Sequence, residues 1–102
     1  MAAKIAFMFV AAGAHPERCR AKFYAKDIEL EVIGVDNYRM AEEWARKLAD
    51  GGVQAIELCA GFGHEGVARV VRAVQGKAFV GAVRFDNHPC IDGKSGDALF
   101  GD

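Results

Sequence analysis

The chain has 102 residues, 52% of them hydrophobic, with 13 basic and 14 acidic side chains and a formal net charge of −1. That length predicts one domain, residues 1–102, and the missing basic excess argues against nucleic acid or an anionic membrane surface as partner. The three cysteines, Cys19, Cys59 and Cys90, are far apart and form no CxxC pair, which argues against a zinc ribbon or a dithiol redox centre.

An apolar content this high in so short a chain points to a homo-oligomer whose subunit contacts hide the surplus. The apolar run Ile5 to Ala14 follows one lysine and precedes a small-residue stretch, as a signal peptide would. Its removal would delete the best strand in the chain, so it is read as a core strand of a cytoplasmic, reduced protein.

In chain order, Ile5 to Ala11 is apolar on both faces, the pattern of a central parallel strand. Pro16 and Glu17 suit the first turn of a helix running to about Ala25, with Cys19 and Phe23 on one face. Ile28 to Val35 begins with strict alternation: Ile28, Leu30 and Val32 face one way, Glu29 and Glu31 the other. One wet face near its start suggests an edge strand. Asp36 and Asn37 then cap a helix from Tyr38 to Asp50, with Ala41, Trp44, Ala45 and Leu48 as its buried stripe.

A third strand, Val53 to Ala60, leads through a glycine-rich turn into a helix from about His64 to Gln75, and Ala78 to Phe85 reads as a fourth strand. The last seventeen residues, 86–102, read as an irregular tail that packs on the body through Leu99 and Phe100. Strands alternating with helices predict an α/β fold: a four-stranded, mainly parallel sheet with three helices in the flavodoxin-like, Rossmann-like order 2-1-3-4.

Chemistry concentrates between Val53 and Gly66. Gly61, Gly63 and Gly66 spell GxGxxG after a strand and before a helix, and Asp86 follows twenty residues on, which is the dinucleotide-binding arrangement in outline. A full dinucleotide site uses two such halves, the motif normally follows the first strand, and Glu65 would repel phosphate. A smaller anion at the helix terminus fits better, and a tight turn needing glycine backbone angles fits without any ligand. No cofactor is named.

Glu57, a carboxylate inside an apolar strand, is expected to meet Arg84 across the sheet, either as a structural ion pair or as a base beside an anion-holding guanidinium. Cys59 shares the strand parity of Glu57 and precedes a helix N-terminus near His64; it reads as a nucleophile or as a small buried hydrophobe. Asp86, His88 and Cys90 alternate around Pro89, and His64 could join them at a metal, although spacing of two on a loop is a weak signal and no metal is assigned. The GKSG at 93–96 fails as a P-loop, because the glycine required at position 88 is a histidine.

The segments GVQAIELCAGFGHEGVARV, VRFDNHP and GKSGDALF together resemble a family of short α/β proteins of unassigned function, over nearly the whole chain. That resemblance implies a compact domain that stands alone, and brings no activity, substrate or cofactor. The functional expectation is a binder of a small anionic metabolite. Gly61, Gly63, Arg84, Asp86 and His88 would hold the ligand, with Glu57, Cys59 and His64 as catalytic candidates. The alternative is a non-catalytic oligomeric or partner-binding module with a structural Glu57–Arg84 pair.

Overall fold

A computed structural model describes residues 2–101. Its elements are β1 (Ala3–Val10), β2 (Arg20–Tyr24), β3 (Ile28–Val35), α1 (Tyr38–Asp50), β4 (Ala55–Leu58), α2 (His64–Val74) and β5 (Phe79–Ala82). A 3-10 turn (Pro89–Ile91) and the short helix α3 (Gly96–Phe100) follow. The sheet has five strands in the order β2-β3-β1-β4-β5. β3, β1, β4 and β5 run parallel, and β2 is antiparallel to β3. The four expected strands keep their expected order among themselves; the fifth strand and its direction were not anticipated.

The expected helix from Pro16 to Ala25 is not formed. Its proline turn lasts one turn only: the amides of Arg18 and Cys19 donate to the carbonyl of His15, and the Glu17 amide donates to His15 Nδ1. From Arg20 the chain extends and pairs with β3 through a tight hairpin, in which Ala25 N–H donates to the Ile28 carbonyl. The competing signal was the alternation Arg20, Lys22, Tyr24 against Ala21, Phe23, which sets Lys22 opposite Glu31 and Tyr24 opposite Glu29. β3 is therefore an interior strand. Glu31, expected on a wet edge, is only 7% exposed and is bound by the Arg20 guanidinium.

The crossovers β3–α1–β4 and β4–α2–β5 advance in the same direction across the sheet, so right-handed connections place both helices on one face. Beneath them lie Ala6, Met8 and Val10 of β1, Ile33 and Val35 of β3, and Ile56 and Leu58 of β4, packed with Ala41, Ala45 and Leu48 of α1 and Val70 and Val74 of α2. Asn37 caps α1 by accepting from Met40 N–H, as its side chain predicts. Trp44 lies at the rim of this layer with the cations of Arg20 and Lys47 at 5.3 and 4.5 Å from its ring centre. The architecture is two layers, sheet and helices, and the segment expected to form a first helix is a strand of the sheet instead. Among the described residues no helix is long and apolar enough to cross a membrane.

Candidate functional site at the C-terminal rim of the sheet

The chain leaves β4 at Leu58 and turns sharply, with Phe62 N–H donating to the Cys59 carbonyl. Phe62 is fully buried and stacks on Tyr38, with ring centres 5.6 Å apart and planes 10° from parallel. Gly63 then caps α2 in extended backbone with no side chain to accept from the first amides. Those amides would attract an anion. The tail supplies one: the Asp97 carboxylate accepts from Glu65 N–H at 3.0 Å and Gly66 N–H at 3.1 Å.

Tyr38, the first residue of α1, completes the arrangement. Its hydroxyl donates to Asp97 Oδ1 at 2.7 Å and accepts from Gly63 N–H at 3.0 Å. Burial, with the Asp97 carboxylate beside it, pushes the Tyr38 phenol well above its usual range and keeps it a donor. Partial burial alone would raise the Asp97 carboxyl, but hydrogen bonds from Glu65 N–H, Tyr38 and Gly66 N–H outweigh it and hold the group below its usual range. Ser95 caps α3 by accepting from Asp97 N–H and fixes the residue that does the bridging.

Two of the GxGxxG glycines, Gly63 and Gly66, are explained by this docking, whereas a Cβ on Gly61 would press on Val10 and Cys59. A Cβ on Gly66 would lie 2.4 Å from the Tyr38 ring; one on Gly63 would lie 2.4 Å from Asp97 and Ser95 side-chain atoms. Gly61 meets the tail through its carbonyl, which would lie 1.6 Å from a Cβ on Gly96. The motif and the GKSGDALF segment are two halves of one contact, and the α2 amides carry the protein's own carboxylate where the fingerprint would carry phosphate.

Arg84 and Glu57 do not meet, which corrects the expected pair. Ile56 and Leu58 point into the helix layer, so Glu57 between them projects from the opposite, open face of the sheet. It is exposed, not buried, and makes no hydrogen bond or ion pair among the described residues. Arg84 lies beyond the end of β5 and turns to α2, donating to His64 Nε2 and Asp86 Oδ1, each at 2.6 Å. The Arg84 guanidinium holds the Asp86 carboxyl below its usual range. His64, Arg84 and Asp86 thus form an exposed cluster at the start of α2.

Asp86, His88 and Cys90 do not point one way, because Pro89 opens a 3-10 turn instead of continuing an extended chain. His88 caps that turn, with Nδ1 accepting from Cys90 N–H at 3.1 Å, and its ring packs on Phe85. Among the described residues no group of three His, Cys, Asp or Glu side chains could hold a metal.

His88, Cys90 and Cys59 instead share the wall of a cavity of about 390 Å³ with Val10, Ala11, Ala12, Gly61, Ile91, Leu99 and Phe100. It opens beyond the carboxyl ends of β1 and β4, between the sheet and the tail. Cys59 Sγ accepts from Gly61 N–H at 3.3 Å, which turns the thiol back onto its own loop rather than toward His64. The rim therefore holds the predicted residues in two groups, Cys59, Gly61 and His88 at the cavity and His64, Arg84 and Asp86 beside α2, while Gly63 is taken up by the contact with Tyr38 and Asp97. Glu57 lies apart from both.

Tyr38, Asp97 and Ser95 were not singled out from the sequence. For Ser95 and Asp97 the signal was the Ser-Gly-Asp of 95–97, a helix cap inside a segment read as a failed P-loop and as a family motif. No curated protein and no solved structure matches the chain. A family model described as a family of unknown function, DUF6506, matches residues 3–98, and the chain belongs to that family.

Proposed function

We propose that this protein binds a small molecule with a largely apolar body in the rim cavity, with its polar end toward His88 and Cys90. The observation that carries this reading is the place and lining of the cavity. Strand order reverses around β1 and β4, and in open α/β sheets ligands settle outside the carboxyl ends of the strands at that reversal. A volume of about 390 Å³ lies within the usual range for small-ligand sites, and a mainly aliphatic wall with a few polar atoms is the usual lining.

The anionic ligand expected at Gly61 to Gly66 fits less well, because Asp97 already neutralises the α2 terminus. An anion there would have to displace the tail. His64, Arg84 and Asp86 stand outside the cavity lining as a separate polar group, in which the Arg84 guanidinium is the group suited to a carboxylate or phosphate. Catalysis is not part of the proposal.

The test is a fragment screen by nuclear magnetic resonance on the intact protein and on Cys90→Trp, which fills the cavity from an exposed wall position. Compounds that shift His88 and Phe100 signals in the parent and not in the variant support the reading. No such compound at millimolar concentration overturns it.

A further inference from the structure

We propose that two copies of this chain pair through the open face of the β-sheet, stacked sheet on sheet. The strand registers set out what that face presents. One row across the sheet reads Phe23, Leu30, Ile5, Ala55, Phe79. The next row reads Ala21, Val32, Phe7, Glu57, Gly81. A third is begun by Gly34 and Phe9, whose ring lies over Gly34 so closely that a Cβ there would come within 2.4 Å.

A sheet face turned to water normally carries polar side chains on alternate residues. These rows carry one charge, Glu57. The aromatic residues at the two flanks are the barest: Phe79 is 84% exposed and Phe23 57%. Neither the helices nor the tail covers this face. The helices lie on the opposite side, and the tail is held at the rim by Asp97.

The dimensions select the occupant. Five strands span about 24 Å and the two full rows about 14 Å, a plan area of roughly 330 Å², so the pairing is smaller than a standard interface of ~800 Å² per partner. A single docked helix, about 10 Å across, would cover less than half of that width. A second sheet of the same size, about 10 Å above, covers it completely. With one carboxylate and no cation in its rows, the face offers little to a charged partner, and a second copy matches it in width and in apolar character.

A dyad along β1 lays Phe23 of one copy over Phe79 of the other and separates the two Glu57 side chains by about two strand spacings, ~10 Å. Each Glu57 then loses water against the apolar residues of the other copy, which weakens the pairing without preventing it.

The test is sedimentation equilibrium over a wide concentration range on the full chain, with circular dichroism confirming that each variant is folded. The parent is expected to be a dimer. Phe23→Glu/Phe79→Glu, at side chains already exposed in one copy, should raise the dissociation constant at least about a hundredfold. Glu57→Gln should lower it about tenfold. Val71→Glu, an exposed apolar position on α2, should leave it unchanged. A parent that stays monomeric, a dimer that survives the double substitution, or a Glu57→Gln dimer no tighter than the parent overturns the proposal. A dimer lost instead on Val80→Pro overturns it in favour of edge-to-edge pairing through β5.

Discussion

The Tyr38 hydroxyl donates to the Asp97 carboxylate across 59 positions of sequence, and the same oxygen accepts the Gly63 amide. One phenol therefore joins the start of α1, the start of α2 and the tail. Replacing Tyr38 by Phe leaves the buried Gly63 N–H without an acceptor. The expected cost is about 1–3 kcal/mol, read as a lower urea midpoint with an unchanged slope.

Asp97→Ala removes the carboxylate that caps α2 and should cost about 1–2 kcal/mol. Asp97→Asn retains an acceptor oxygen and should lose less. Amide hydrogen exchange should localise both effects, with Glu65 and Gly66 exchanging faster and the strand amides of β1 little changed.

The same carboxylate makes stability depend on acid. Its folded value lies below the ordinary one, so it contributes stability that is present in full above the unfolded value of about 3.9. That contribution disappears as pH falls through the folded value. The melting temperature of the parent should exceed that of Asp97→Asn by a constant margin from pH 5 to 7, and the margin should shrink below about pH 3.9.

Gly66→Ala should be among the more damaging small substitutions. The added methyl would lie 2.4 Å from a Tyr38 ring that is fully buried and stacked on Phe62, so neither can retreat. A loss of about 3 kcal/mol is expected. At Gly81 an added Cβ meets nothing within 4 Å, and Gly81→Ala should change stability by no more than about 0.5 kcal/mol. Parallel denaturation of the two variants makes the comparison.

Arg20→Met should destabilise by about 1–3 kcal/mol, because Glu31 stays buried with its charge no longer matched. Adding Glu31→Leu should restore most of the loss. A double substitution no more stable than Arg20→Met alone would assign the loss to the Arg20 packing on Trp44 instead.

Much of the fold was legible from local pattern. The doubly apolar β1, the Asn37 cap with the Ala41, Ala45, Leu48 stripe of α1, and the glycine turn into α2 are short-range signals that the packed structure reinforces. Residues 16–25 misled because Pro16 and Glu17 signal a helix start, while the reason to extend after Arg20 lies in β3: a partner for Glu31 and a cross-strand neighbour for each residue. The site was legible in position but not in content. Gly63 and Gly66 marked a place where something must approach closely, and a phosphate and the side chains of Tyr38 and Asp97 impose the same demand for missing Cβ atoms. Glu57 looked buried because its strand neighbours are apolar; strand periodicity places it on a definite face but does not say whether that face is covered.

The contact centred on Tyr38 has a temporal consequence. Ribosomes deliver residue 38 first, the 63–66 turn later and residue 97 near the end of the segment, and contacts of such sequence separation form late. A nascent chain that has not yet reached Asp97 holds a bare α2 terminus, an undocked phenol and a half-open cavity. Delivery of α3 then supplies the cap, the acceptor for the phenol and one wall of the cavity together.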